Sequence, residues 1–220
     1  MRTLAIAPHP DDETFGCGGT LARRAREGGD VHVVVVTAAA VVHPDGRPKC
    51  TLDERRAELA AACRILGASE HQILYEGLEN ALDTLPLRDL VTRLDRVLLR
   101  ADYDEILFPG PSHHQDHRAV QAACFAALRI RPGRRPERRA AVYELPYGAW
   151  HPEPAIGSPW YVDISSTLGV KLLAIEAYAS QRHSGKGPLS AEAVARLAAA
   201  RGTECGADQA ERLGLVRTID

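Results

Sequence analysis

What this chain lacks narrows its identity before any motif is read. Its five cysteines, Cys17, Cys50, Cys63, Cys124 and Cys205, are odd in number and no two form a CxxC pair. A disulfide framework and a cysteine zinc site are therefore not expected, and a reducing cytoplasm fits. Long apolar runs are missing. The longest, Val33 to Val42, is interrupted by Thr37 and falls well short of the about 20 residues that a membrane span needs. The chain opens directly on a strand-like run, so no signal peptide is expected. Neither sign of charge dominates: 27 basic and 29 acidic residues leave a formal charge of −2, which argues against nucleic acid as a partner. There is no repeat and no low-complexity tract. With 220 residues, one domain spanning 1–220 is expected. No GxSxG nucleophile elbow occurs, which disfavours a serine hydrolase. Gly16, Gly18 and Gly19 are spaced GxGG rather than GxGxxG, acids precede them where a phosphate would sit, and no ribose-binding acid closes the second strand at Val36-Thr37. A dinucleotide site is disfavoured on those grounds.

What is present is concentrated after two apolar runs. Leu4-Ala5-Ile6-Ala7 reads as a strand buried on both faces, and Pro8 and Pro10 stop it. His9, Asp11 and Asp12 then occupy a tight turn at a strand's C-terminal end, where ligands bind in open α/β sheets. His9 and Asp12, three apart, can converge on one point, as an imidazole and a carboxylate do on zinc. Asp11 points elsewhere, as a general base would. A polar turn with Asp12 capping the next helix is the plainer reading of these residues alone. The second cluster weighs against it. Ser112-His113-His114-Gln115-Asp116-His117 follows another strand-like run, Glu105-Ile106-Leu107-Phe108, closed by Pro109-Gly110.

With both clusters in view, the chain resembles the PIG-L/LmbE family of zinc-dependent N-deacetylases. Pro8-His9-Pro10-Asp11-Asp12-Glu13 with Gly18-Gly19-Thr20 carries the first part of the resemblance, and His114-Gln115-Asp116-His117 the second. Tyr161-Val162-Asp163-Ile164-Ser165 with Lys171, Ala174 and Ser180-Gln181 is a weaker third. The resemblance implies an N-acetylated amino sugar or its conjugate as substrate, Zn2+ or a related divalent ion as cofactor, and a trimer or hexamer as assembly. It implies His9, Asp12 and His117 as metal ligands, with a fourth position left for water. Asp11 is then the base, and His114 stabilises the oxyanion, with Asp116 orienting or charging His114 from behind. Arg55 and Glu79 align with sugar-contacting positions; relatives often carry an aspartate around Glu79, and the longer side chain puts that contact in doubt. Glu13 is expected behind the site or at the helix N-terminus, and His113 is a neighbour rather than a ligand. Cleavage of a larger amide on a sugar or thiol conjugate is the alternative within zinc amidohydrolases. A sugar-binding protein without catalysis is the alternative outside them.

The rest of the chain alternates strands with helices, which implies a Rossmann-like, mainly parallel sheet covered on both faces, with the metal site at the C-terminal strand edge. Helices are expected over Thr14 to Glu27, Thr51 to Leu66, Leu85 to Arg100, Asp116 to Leu128, Lys171 to Ala179 and Ala191 to Ala200. Thr51 and Glu54 form a capping box, and Ser165 or Ser166 caps the fifth helix. His32 reads as a strand residue with a satisfied side chain, and His43-Pro44-Asp45-Gly46 as a turn. Arg55 and Glu58 form, on the plainer reading, a solvated pair. The arginine-rich segment from Arg129 to Arg139 reads as a solvated loop, with a phosphate clamp as the alternative. The segment containing Tyr147, Trp150 and His151 either stacks on sugar rings or covers a sheet edge.

Overall fold

A computed structural model describes residues 1–43, 45–132, 134–147, 157–181 and 187–219. Pro44, Trp150, His151 and residues 184–186 of the Ser184–Pro188 loop lie outside the described residues. Strands β1 (Arg2–Ala7), β2 (Asp30–Ala38), β5 (Glu70–Glu76), β6 (Glu105–Pro109), β7 (Arg139–Tyr143), β8 (Ser158–Asp163) and β9 (Ala210–Thr218) form a seven-stranded sheet in the order β5-β2-β1-β6-β7-β9-β8. The strands β5, β2, β1, β6 and β7 pair in parallel. A small antiparallel pair, β3 (Val41–Val42) and β4 (Pro48–Cys50), rises from the loop between β2 and the next helix. The turn at Asp45-Gly46 closes it, with Gly46 N–H donating to the His43 carbonyl.

The strand residues alternate between two cores. Ala5, Ala7, Val33 and Val35 face one side, packed by α1 (Asp12–Arg26), α2 (Leu52–Leu66), α5 (Leu168–Ala177) and α6 (Ala191–Cys205). Leu4, Ile6, Val34 and Val36 face the other, packed by α3 (Leu87–Leu98) and α4 (Gln115–Ala127). A strand buried on both faces needs apolar residues at every position, which is why these runs do not alternate with polar residues. From β1 the chain runs outward to β2 and β5, then returns to the other side of β1 for β6 and β7. The order reverses between β1 and β6. Both acid-and-histidine turns lie there, since one follows β1 and the other follows β6.

Three expectations change. The last strand, β9, is not among the expected elements: it inserts between β7 and β8 and runs antiparallel to both, so the sheet ends in an antiparallel margin. The fifth helix is preceded by Thr167, whose hydroxyl donates to the Gly19 carbonyl rather than capping it; neither Ser165 nor Ser166 caps it, and Ser165 bonds Asp163. The arginine-rich segment is a surface loop with Arg129, Arg135 and Arg138 exposed, but most of its arginines are paired rather than freely solvated. Arg129 and Arg131 pair with Asp95, Arg134 and Arg217 with the buried Glu137, and Arg135 with Asp104. It is tied to the N-terminal ends of β6 and β7, at the opposite edge from the two turns. The capping box at Thr51, the left-handed Gly67 that ends α2, and the satisfied His32, bonded to Tyr103 and Asp30, are as expected.

Candidate active site

Asp11 sits at the hinge between β1 and α1 with φ 114°, a conformation that a non-glycine residue adopts only when its surroundings hold it there. Its carbonyl accepts from Thr14 and Phe15 N–H at 3.0 and 2.9 Å, which starts the helix. Its own N–H donates to Glu13 Oε2 at 3.2 Å. Glu13 is in turn fully buried and receives Tyr178 Oη at 2.5 Å and Thr14 Oγ1 at 2.6 Å. Of the two adjacent acids, Asp12 groups with His9 and His117 and Asp11 does not.

Asp12 faces two imidazoles. Its Oδ2 lies 3.3 Å from His9 Nδ1 and 3.2 Å from His117 Nε2. Donor atoms of His9, Asp12 and His117 all fall within 4.8 Å of one another, and all three residues are buried. The other nitrogen of each ring is also held. His9 Nε2 meets Asp116 Oδ2 at 2.7 Å, and His117 Nδ1 meets Tyr147 Oη at 3.5 Å. Orientation of a ring through its far nitrogen is the usual support for a metal-binding histidine.

The electrostatics separate the two neighbouring acids. Burial alone would raise the Asp12 pKa, but His117 and His9 hold it below the ordinary carboxylate range. Burial and the charge of Asp12 push Asp11 well above that range, with Arg55 acting in the opposite direction. Burial would lower His9, yet its bonds to Asp116 and Asp12 lift it to about 10. Loss of water and the proximity of His9 and His117 lower His114.

A family model described as PIG-L, GlcNAc-PI de-N-acetylase, matches residues 4–128, from β1 through the end of α4. The chain belongs to the PIG-L family. Curated relatives include an uncharacterised deacetylase of Escherichia coli K12, 34% identical over 136 residues, or 59% of this chain and 69% of that protein. A 1D-myo-inositol 2-acetamido-2-deoxy-alpha-D-glucopyranoside deacetylase of Saccharopolyspora erythraea is 31% identical over 151 residues, which span 57% of this chain but only 55% of that protein. Among solved structures, a conserved protein of Thermus thermophilus aligns with TM-score 0.78 and 27% identity, covering 99% and 96% of the two chains. The 4-carboxy-2-hydroxymuconate hydratase GalB of Pseudomonas putida KT2440 aligns with TM-score 0.74 and 24% identity, covering 100% and 98%. A PIG-L-like fold thus does not by itself fix the reaction, which must be read from the site.

Within this PIG-L chain the glycines after the turn serve packing. A Cβ on Gly16 would lie 2.1 Å from the Tyr143 ring, and one on Gly19 would lie 2.7 Å from Ile164. Between them Cys17 departs from helical backbone. Lys171 Nζ donates to the Phe15 carbonyl on one side of that kink, and Glu211 accepts from Gly19 and Thr20 N–H on the other. Lys171 and Glu211 are themselves paired at 2.6 Å and buried. The pair splints the helix behind the motif.

The sequence-identified residues fall as follows. His9, Asp12 and His117 converge, with Asp11 beside them and His114 closing the group: its ring centroid is 5.1 Å from those of both His9 and His117. His113 is exposed and contributes no atom to the cluster. The Asp116 carboxylate does not face His114. It is spent on His9 and on the N–H groups of Asn80 and Leu82, and only the Asp116 backbone N–H reaches His114 Nδ1. Arg55 and Glu58 do not form a solvated pair. Glu58 accepts from Ser180, while the Arg55 side chain is 1% exposed and meets Glu79 at 3.5 Å. Its Nε and Nη1 have no partner among the described residues. Glu79 also accepts from Ala39 N–H. Tyr147, read from sequence as either sugar-stacking or edge-covering, lies at the site beside His117; Asn80 at the site and Tyr178 behind it are not identified as site residues by the sequence.

Proposed function

We propose that this chain is a zinc-dependent hydrolase that removes the acetyl group from an N-acetylated amino sugar or its conjugate. The observation that carries the reading is the convergence of His9, Asp12 and His117 donor atoms within 4.8 Å, with a second carboxylate, Asp11, beside them and not among them. Two imidazoles and one carboxylate are a donor set that suits zinc and leaves a coordination position open. The ring nitrogens of His9 and His117 that face Asp12, together with Asp12 itself, would hold the ion. When bound, the ion supplies a water of lowered pKa and a Lewis acid for the amide carbonyl.

The remaining roles belong to the chain. Asp11 takes the proton of the attacking water, and a cation held by Asp12 cancels the charge that raises the Asp11 pKa. His114 offers an N–H toward the acyl oxygen. Its single N–H is already shared with Asn80, so Asp11 rather than His114 returns the proton to the leaving amine. Two buried guanidinium nitrogens without partners are costly unless a ligand satisfies them. Arg55, with Glu79, is thereby suited to accept sugar hydroxyls. The name of the S. erythraea relative, an acetamidoglucopyranoside deacetylase, supports the substrate class. A panel of N-acetyl amino sugars, free and conjugated to inositol, malate or a nucleotide, tests this through primary-amine release by the zinc-loaded protein. Release from at least one member is expected; turnover of none across the panel overturns the reading.

A further inference from the structure

Three groups close to the site are unexplained by the roles above: the left-handed Asn80, the exchange of partners at Asp116, and the orientation of His114. They explain one another. His114 precedes the first turn of α4, and its Nδ1 accepts from Asp116 N–H at 3.2 Å. A neutral imidazole whose Nδ1 accepts must carry its proton on Nε2. That Nε2 lies 3.0 Å from Asn80 Oδ1. The Asp116 N–H thus sets the tautomer, and the Asn80 amide oxygen is the acceptor for the resulting Nε2–H, which holds the ring in its plane.

Asn80 is itself fixed by the turn it faces. Its φ is 67°, its N–H donates to Asp116 Oδ2 at 2.6 Å, and its carbonyl accepts from Gln115 Nε2 at 3.2 Å. These bonds tie the loop after β5 to the start of α4 over a separation of more than thirty residues in sequence. The preceding residue, Glu79, reaches Arg55, so the same short loop spans both sides of the site.

We propose that Asn80 is the positioning residue for His114, accepting its Nε2–H and holding the ring so that this N–H is aimed across the site. Asp116, by contrast, supports His9. An amide is a neutral acceptor. The N–H it holds can pass to an oxygen that gains negative charge during the reaction, because hydrogen bonds to charged acceptors are about twice as strong. The inference rests on the deacetylase reading for its catalytic consequence, but not for the position of the ring.

Asn80→Gly separates side chain from backbone. Glycine adopts the left-handed conformation freely, so the N–H to Asp116 and the carbonyl to Gln115 remain while the amide is lost. Asn80→Asp keeps an acceptor oxygen in place. Imidazole ¹H–¹⁵N spectra of the zinc-loaded protein read the hydrogen bond on the His114 Nε2–H without turnover. The wild type and Asn80→Asp are expected to show an Nε2–H protected from exchange with water, and Asn80→Gly an Nε2–H that exchanges measurably faster. With a turned-over N-acetyl sugar, Asn80→Gly is expected to lose about tenfold in kcat, with KM within threefold and zinc content unchanged. An equally protected Nε2–H in Asn80→Gly overturns the proposal, as does an unchanged kcat. A wild type that hydrolyses no N-acetyl sugar overturns the deacetylase reading alone, since the spectra still decide the role of Asn80.

Discussion

Asp11 and Asp12 are adjacent in the chain and opposite in their surroundings. The imidazoles around Asp12 favour its charge, whereas burial and Asp12 itself disfavour the charge on Asp11. The two side chains should therefore fail differently when neutralised. Asp11→Asn is expected to keep its metal and lose a factor of about 10²–10⁴ in kcat, the usual range for a general base. Asp12→Asn is expected to lose metal affinity first. Metal content by elemental analysis and kcat for both variants distinguish them, and identical behaviour in both assays contradicts the division of labour. His9 adds a pH dependence. In the metal-free protein its pKa is raised to about 10, so its pairing with Asp116 and Asp12 adds stability in full below about pH 6.5 and loses it as pH rises through about 10. Metal uptake must displace that proton. Zinc affinity is expected to rise between pH 6 and 8, with at least one proton released per ion in calorimetry across buffers of different ionisation enthalpy. A pH-independent affinity contradicts this.

At the scale of elements, the site depends on how α1 leaves the turn. The helix is kinked at Cys17, and the Lys171–Glu211 pair supplies partners on both sides of the kink. Removing one member of a buried pair strands the other. Glu211→Gln is expected to cost about 3 kcal/mol in denaturant unfolding; a loss under about 1 kcal/mol would show that the pair is not a splint. This contact also shows what sequence reasoning reaches and what it does not. The clustered residues were legible because His9, Asp11 and Asp12 share one turn and His114 and His117 lie one helical turn apart. Asp116 does act on His114 through its N–H and its charge, but its carboxylate bonds His9, which is 107 residues away and could not be read from the local sequence. Asn80 was missed for the same reason, being 34 residues from His114. Strand β9 was missed because Ala210-Glu211-Arg212-Leu213-Gly214 combines buried charge with an interior glycine, and Glu211 is acceptable in the core only through partners distant in sequence, Lys171 and the Gly19 and Thr20 N–H groups.

Across the whole molecule the sheet separates chemistry from support. Both acid-and-histidine turns lie at the C-terminal ends of β1 and β6, and the arginine-rich segment lies at the opposite edge, satisfied by Asp95, Asp104 and Glu137. The mainly parallel sheet and the edge that carries the two turns follow from strand–helix alternation and were readable in advance; the strand order, its reversal point and the antiparallel margin were not. Replacing Arg134, Arg135 and Arg138 with serine is expected to leave kcat/KM for a neutral N-acetyl sugar within about threefold, under 1 kcal/mol, while lowering the unfolding midpoint because Glu137 loses a partner. A tenfold loss confined to phosphate-bearing substrates and suppressed by salt would instead place this segment at a substrate site.

The central claim is that a metal held by His9, Asp12 and His117 enables Asp11 to drive hydrolysis of an N-acetyl group. Its most direct test is simultaneous measurement of free acetate and free amine from an N-acetylglucosaminyl conjugate, with the protein chelator-stripped, restored with one equivalent of zinc, and carrying Asp11→Asn. Acetate and amine in equal amounts from the restored wild type, with neither from the stripped protein and only traces from Asp11→Asn, is the predicted result. Equal turnover by stripped and restored protein, or undiminished turnover by Asp11→Asn, would contradict it.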